Sequence, residues 1–247
     1  MRRLPLTLAE DVTPGDWIAG SFTMPFGSWV GSFLPGRYAA YARILHRADW
    51  DTINSGRSGV RWSQVADEMG TVLDRLSAFW EVAGRVSGLE AHTGGWDGDN
   101  PREGSMDPEI YAALPALLRS HTQTPELCWV AIWTGWAWHP PEVDPDRYPQ
   151  VKLPGREYYL YRGSLDDLAM HRYDAWHYDE AAGTPEWPSF QSPNMIWPQD
   201  RAWFVATEVD FDSTLVGGPG DLVRAILEHA DLEAFDVREG GLIGSAG

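Results

Sequence analysis

The sequence predicts an α+β fold: a single domain built on a mainly antiparallel sheet with helices packed on one face. Strand-like and helix-like segments are interleaved, but not as a regular alternation of similar units, which argues against a doubly wound parallel sheet. Turn signals are dense, with 25 Gly and 18 Pro in 247 residues. No stretch has the composition of a linker, so residues 17–239 read as one domain, preceded by a loose lead-in over 1–16 and followed by a mobile tail over 240–247. At 43% hydrophobic and 13% aromatic residues the chain can bury a core without disulfide or metal staples.

The elements follow in order. From Trp17 to His46, aromatic and β-branched residues mixed with Gly and Pro predict short strands around the turn Leu34-Pro35-Gly36-Arg37, with Ala39–Leu45 open to a helical reading. Ser63 is placed to cap a helix over Gln64–Met69 that Gly70 ends; Thr71 is placed to cap a second, with Val72, Leu76, Phe79 and Trp80 on one face and Gly84 as its stop. Residues 87–107 have no apolar period and read as a loop. Asp107-Pro108-Glu109 starts a helix through Ile110, Tyr111, Leu114, Leu117 and Leu118, where Pro115 predicts a kink or break. Leu127–Trp138 reads as a buried strand, 139–150 as a Pro-rich surface connection, and Glu157–Arg162 as a strand. Ser164 with Asp167 predicts a capped short helix, followed by a long Pro- and Trp-rich loop to Pro198. A strand over Ala202–Phe211, a turn at Gly217-Gly218-Pro219-Gly220, a helix over Asp221–His229 and a strand at Phe235–Val237 complete the chain. Leu-Pro-Gly-Arg occurs at 34–37 and at 153–156, which reads as one turn chemistry used twice rather than a duplication.

Charge narrows the partners. With 36 acidic and 19 basic side chains the net charge is −17, which opposes phosphate backbones and anionic membrane surfaces and favours a cationic protein partner. Pro5, Thr7 and Glu10 interrupt any export-signal pattern, and the longest apolar run, Leu127–Trp133, is far short of the roughly 20 residues that span a bilayer. The single cysteine, Cys128, lies in that run and reads as a buried small hydrophobe, consistent with a cytoplasmic location. Only Lys152 among the basic residues is lysine, a bias expected of a GC-rich bacterial genome. The 14 Trp residues read mainly as core.

The chemistry-bearing candidate is the stretch Arg201–Thr214. On a continuous strand Trp203, Val205, Thr207, Val209 and Phe211 face the core while Glu208, Asp210 and Asp212 share the other face. Three carboxylates together would be answered by an arginine such as Arg201, by raised pKa values, or by a hard divalent cation such as Mg²⁺, which would make Glu208, Asp210 and Asp212 metal ligands. The competing expectation is a solvated strand face. Asp97-Gly98-Asp99-Asn100 lacks the Glu that a twelve-residue calcium loop needs and reads as a polar turn. His171–Glu180 gathers two His and three acids, but in a segment of loop composition. Nucleophile-elbow, P-loop and dinucleotide-binding patterns are absent from the sequence, and Pro219 and Asp221 weigh against anion binding at the glycine turn.

Phe33-Leu34-Pro35, Tyr41–His46, Cys128-Trp129, Arg201-Ala202-Trp203, Ala206-Thr207-Glu208 and Asp212–Gly218 resemble a family of proteins from GC-rich bacteria that carries no assigned activity, so this resemblance implies no catalytic residue. Leu34-Pro35-x-x-Tyr38-x-x-Tyr41 is also similar to a short segment of the SUKH immunity superfamily, though the Asn-Gly that should follow is missing. The expectation is therefore an acidic, non-catalytic, protein-binding and immunity-like module, with a metal-dependent hydrolase as the alternative.

Overall fold

The computed structural model describes residues 6–49, 59–87, 92–93, 95–136, 148–170, 174–179 and 184–243. Its elements are β1 (Thr7–Leu8), α1 (Asp16–Ala19), β2 (Ala40–Leu45), α2 (Trp62–Met69), α3 (Phe79–Val82), β3 (Val86–Ser87), β4 (His92–Thr93), α4 (Pro108–Arg119), β5 (Cys128–Trp133), β6 (Val151–Leu153), β7 (Arg156–Gly163), α5 (Leu165–Met170), β8 (Asp174–Asp179), β9 (Thr184–Phe190), β10 (Met195–Pro198), β11 (Phe204–Ala206), β12 (Ser213–Gly218), α6 (Gly220–Leu227) and β13 (Ala234–Val237). Among the described residues nine strands make one sheet in the order β1-β7-β5-β10-β11-β12-β2-β13, with β6 paired to β7. Every pairing in it is antiparallel, so the α+β reading holds. Two separate hairpins, β3–β4 and β8–β9, stand outside it.

Both faces of the sheet are covered. Ile44, Val130, Ile132, Tyr161, Trp203, Val205 and Val216 lie under the larger helices, α4 through Ile110, Leu114 and Leu118, α5 through Leu165 and Leu168, and α6 through Leu222, Val223 and Ile226. The opposite set, Tyr41, Trp129, Tyr158, Leu160, Trp197, Phe204 and Leu215, packs on the N-terminal segment through Ala9, Ile18, Val30, Phe33 and Leu34. The expected one-sided burial of the 203–211 stretch is thereby corrected: Phe204 and Ala206 are 0% and 2% exposed, as buried as Trp203 and Val205. A third cluster, Leu45, Trp62, Val65, Phe79, Val82 and Trp96, seats α2 and α3 beyond β2.

Several boundaries differ from expectation for local reasons. β12 is a fully buried central strand where its glycines predict a turn: a Cβ on Gly217 would stand 2.6 Å from the Tyr38 ring and one on Gly218 2.8 Å from Leu222, so the glycines serve close packing within a strand. The helix expected from Thr71 shrinks to α3, leaving Val72 and Leu76 exposed; Asp74 instead folds the segment into a turn by accepting from the Leu76 N–H. α4 runs unbroken through Pro115, since four buried side chains hold it to the sheet. The loop expected up to Pro198 contains β8, β9 and β10. Leu6, Thr7 and Leu8 add a buried side chain and an edge strand from within the lead-in, and Ile243 is buried from the tail. The two Leu-Pro-Gly-Arg tetrapeptides do not share a conformation: 153–156 closes the β6–β7 hairpin with Gly155 at φ +77°, whereas Gly36 has no positive φ and donates to the Ser21 carbonyl.

Candidate functional site

β11 ends at Ala206, and the acidic stretch is a turn rather than a strand. The Thr207 N–H donates to the Asn194 carbonyl at 2.7 Å and the Phe211 N–H to the Glu208 carbonyl at 3.1 Å, so the chain reverses before β12 begins at Ser213. Glu208, Asp210 and Asp212 therefore do not share a strand face, which corrects that expectation. Each is met by an arginine from another strand. Arg156, the first residue of β7, donates to Glu208 through its Nε at 3.1 Å and pairs with it through Nη2 at 3.0 Å, while the same Nη2 reaches Asp210. Arg43 of β2 pairs with Asp212 at 3.4 Å. Of the groups that could answer three clustered carboxylates, arginine is the one in contact with them, but as Arg43 and Arg156 and not the expected Arg201, which stands before β11 while the acids follow it.

Depth separates the three acids. The Glu208 side chain is 4% exposed and Asp210 71%. Burial raises the pKa of Glu208 against the opposing pull of Arg156, and raises that of Asp212 against Arg43. Glu103, exposed at the surface beside Gly104, is raised by partial desolvation and by the charges of Asp212 and Asp210. Arg43 is itself 1% exposed, and each of its three nitrogens has an acceptor: Nε the Ser213 hydroxyl at 3.0 Å, Nη1 the Ser77 carbonyl at 3.0 Å and Nη2 Asp212, with its Cζ 5.4 Å from the Trp62 ring centre. A buried guanidinium without an anion would be costly, so Asp212 is a structural counter-charge. Arg156 likewise lies over Phe26 and Trp133, 5.6 and 5.3 Å from their centres.

Beside the arginines runs a chain of buried neutral groups. His46 Nδ1 lies 2.7 Å from the Arg102 carbonyl and Nε2 2.9 Å from the Thr214 hydroxyl, which lies 2.8 Å from that of Thr207. A carbonyl only accepts, so Nδ1 carries the proton; Nε2 then accepts from Thr214, and Thr214 accepts from Thr207. The ring is fully enclosed, and burial lowers its pKa to about 4, which keeps it neutral. Asn194 extends the network, donating to the Thr207 carbonyl and accepting from the Trp133 N–H and the Trp136 Nε1–H. The 102–107 segment closes it: Gly104 donates to the Phe211 carbonyl, Met106 donates to the Ser192 hydroxyl, and Asp107 accepts from the Arg47 N–H at 2.6 Å. A Cβ on Gly104 would stand 2.7 Å from the Val209 carbonyl oxygen, so only glycine allows this approach. Burial raises Asp107 to a pKa of about 7.

This arrangement fixes a fold more readily than it performs a reaction. His46 has both nitrogens engaged and no access, and Cys128 is enclosed with its thiol pushed up to about 12 by burial, far from the thiolate a nucleophile requires. Among the described residues no group of three His, Cys, Asp or Glu is disposed to hold a metal ion. The Asp97–Asn100 turn wraps a guanidinium: Arg85 donates to the Trp96 and Gly98 carbonyls and to the Asn100 side chain. Of His171–Glu180, residues 171–173 and 180 lie outside the described residues. Arg43, His46, Arg156, Asn194, Thr207 and Thr214 do not stand out in the sequence as site residues; the available signal is Arg43 itself, a charge inside the apolar segment Tyr41–Leu45.

Comparison of the chain with protein-family models, with curated proteins and with solved structures finds no match.

Proposed function

We propose that this chain is a non-catalytic, immunity-like binding module for a cationic protein. The observation that carries the reading is a contrast in exposure: Glu208, Asp212, His46 and Cys128 are buried or partnered, while the acids around α2 and α3 stand at the surface beside exposed apolar side chains. There Asp67, Glu68, Asp74 and Glu81 are exposed, and Val72 and Leu76 between them are 80% and 48% exposed. Apolar anchors rimmed by like charge suit a partner of opposite charge, whose association would be steered by the −17 net charge.

The test is recovery of a basic protein from source cells in about 0.05 M salt, with loss of the complex at about 0.5 M, where the screening length falls several-fold. Asp67→Lys with Asp74→Lys should weaken it, and a neighbouring toxin gene would agree with it. Failure to recover a basic partner at low salt, or recovery indifferent to both salt and charge reversal, rejects the reading. One observation favours the alternative of a metal-dependent hydrolase: Asp210 is exposed and Glu103 feels its charge. That reading requires a cation to displace Arg156, and it is tested by thermal unfolding with Mg²⁺, Mn²⁺ or Ca²⁺.

A further inference from the structure

At the opposite end of the same strands arginines stand without a carboxylate partner among the described residues. The β10–β11 connection is a turn closed by the Arg201 N–H on the Pro198 carbonyl at 2.9 Å, after which Arg201 takes φ +55°. Glycine or asparagine is the usual occupant of such a position, so a long cationic side chain there holds strain that the turn alone does not require. Its guanidinium lies 4.8 Å from the centre of the Trp17 ring, and that of Arg37 lies 5.7 Å from the same ring. Among the described residues no carboxylate is within ion-pairing distance of either.

Arg201 borders a shallow depression of about 280 Å³ lined also by Thr13, Pro14, Trp129, Trp197 and Gln199. The donors at its rim are arranged by the fold. Gln199 Oε1 accepts from Trp129 Nε1 at 2.7 Å, which fixes the amide and leaves its NH₂ to donate elsewhere. A neighbouring depression shares Trp129 and adds Arg162. The nearby acids are engaged: Asp11 accepts from the Thr13 N–H and hydroxyl, and Asp200 from the Thr122 hydroxyl and the Gln123 and Ala202 N–H groups. Glu10 borders only the neighbouring depression.

We infer that this depression binds a small oxyanion, phosphate or the phosphate of a hydroxylated monoester, with Arg201 as its principal cation and the Gln199 amide as a second donor. Arginine and amide donors match phosphate oxygens, the volume is just below the range of drug-sized sites, which suits a small anion, and Trp129 and Trp197 line it. The site is independent of the acidic surface proposed for the protein partner.

The test uses the full chain with inorganic phosphate, glucose 6-phosphate and glucose as probes, read by isothermal calorimetry and by the thermal midpoint. Either phosphate compound should bind and raise the midpoint, and glucose should do neither. A tighter glucose 6-phosphate complex identifies an organic monoester as the source; equal affinity identifies inorganic phosphate. Arg201→Gly removes the cation at a position whose φ glycine adopts freely, so it should fold at least as well as the parent and lose affinity tenfold or more. Absence of binding by both phosphate compounds, equal binding of glucose, or undiminished binding by Arg201→Gly would overturn the inference.

Discussion

The two ends of the β2, β5, β7, β10, β11 and β12 strands use arginine in opposite ways. At the 207–213 end, Arg43 and Arg156 are drawn inward and each is matched by a carboxylate from the 208–212 turn. At the 199–201 end, Arg37 and Arg201 lie on an aromatic ring and meet no carboxylate among the described residues. A guanidinium that is buried must bring its counter-charge into the fold, and the acid is then unavailable for other chemistry; one left at the rim keeps its charge for a ligand. Proximity of acids in sequence therefore does not decide what they do. The positions of the arginines on neighbouring strands do.

The most severe challenge to this contrast is Arg43→Ala. It leaves Asp212 without its partner, leaves the Ser213 hydroxyl and the Ser77 carbonyl unbonded, and opens space beside Trp62, so a loss of about 3–5 kcal/mol is expected in urea unfolding. Arg43→Met with Asp212→Leu should recover much of that loss, because replacing a buried pair with apolar groups removes both desolvation terms. A cost below about 1 kcal/mol for Arg43→Ala would mean that this end is held by packing alone. Arg156→Ala should cost less, about 2 kcal/mol, since Glu208 is buried but Arg156 itself is 18% exposed and water can reach the gap.

Next in size is a pair of opposed pH effects in the same network. His46 has a folded pKa of about 4 against 6.5 unfolded, so as pH falls from 6.5 toward 4 the unfolded chain takes up a proton the native chain refuses, and stability drops. Asp107 has a folded pKa of about 7 against 3.8 unfolded, so as pH rises from about 4 to 7 the unfolded chain releases a proton the native chain retains, and stability again drops. Between about pH 4 and 6.5 the two slopes have opposite signs and offset each other. Asp107→Asn keeps an acceptor for the Arg47 N–H while removing one of them. Because Glu208, Asp212 and Glu103 also have raised pKa values and add to the fall, the expectation is a difference: across that window the variant's slope of stability against pH should be more positive than the parent's by up to about 1.4 kcal/mol per unit. A variant with the same slope as the parent would show that Asp107 does not hold its proton in the native chain in this way.

The parts of this architecture legible in the sequence are those set by local chemistry. Ser164 and Asp167 form the expected reciprocal cap, with the Ser164 N–H on Asp167 at 2.8 Å and the Asp167 N–H on the Ser164 hydroxyl at 3.0 Å. Gly70 ends α2 at φ +66°. The cap at the other end of α2 is not legible: Glu233, 170 residues beyond Ser63, accepts from the Trp62 and Ser63 N–H groups in place of the Ser63 hydroxyl. The acidic turn misleads for the same reason. Alternation along 203–211 fits a strand, but the chain turns just after Thr207, whose N–H bonds the Asn194 carbonyl and whose hydroxyl bonds Thr214 on β12, and alternation does not encode either contact. β12 is hidden because Gly217 and Gly218 signal a turn unless the Tyr38 and Leu222 side chains that fill their space are known.

The smallest expected effect is the one that best separates the three acids. Among the described residues the Asp210 side chain pairs with Arg156, a guanidinium already paired with Glu208, and at 71% exposure an ion pair this open contributes little. Asp210→Asn should change stability by no more than about 0.5 kcal/mol, in contrast to Arg156→Ala. The same variant separates the structural account from the metal reading. If arginines answer these carboxylates, millimolar Mg²⁺, Mn²⁺ or Ca²⁺ leaves the thermal midpoint unchanged in both parent and Asp210→Asn. A midpoint that rises with metal in the parent and not in the variant would show that Arg156 can be displaced, and would move this turn from scaffold to active centre.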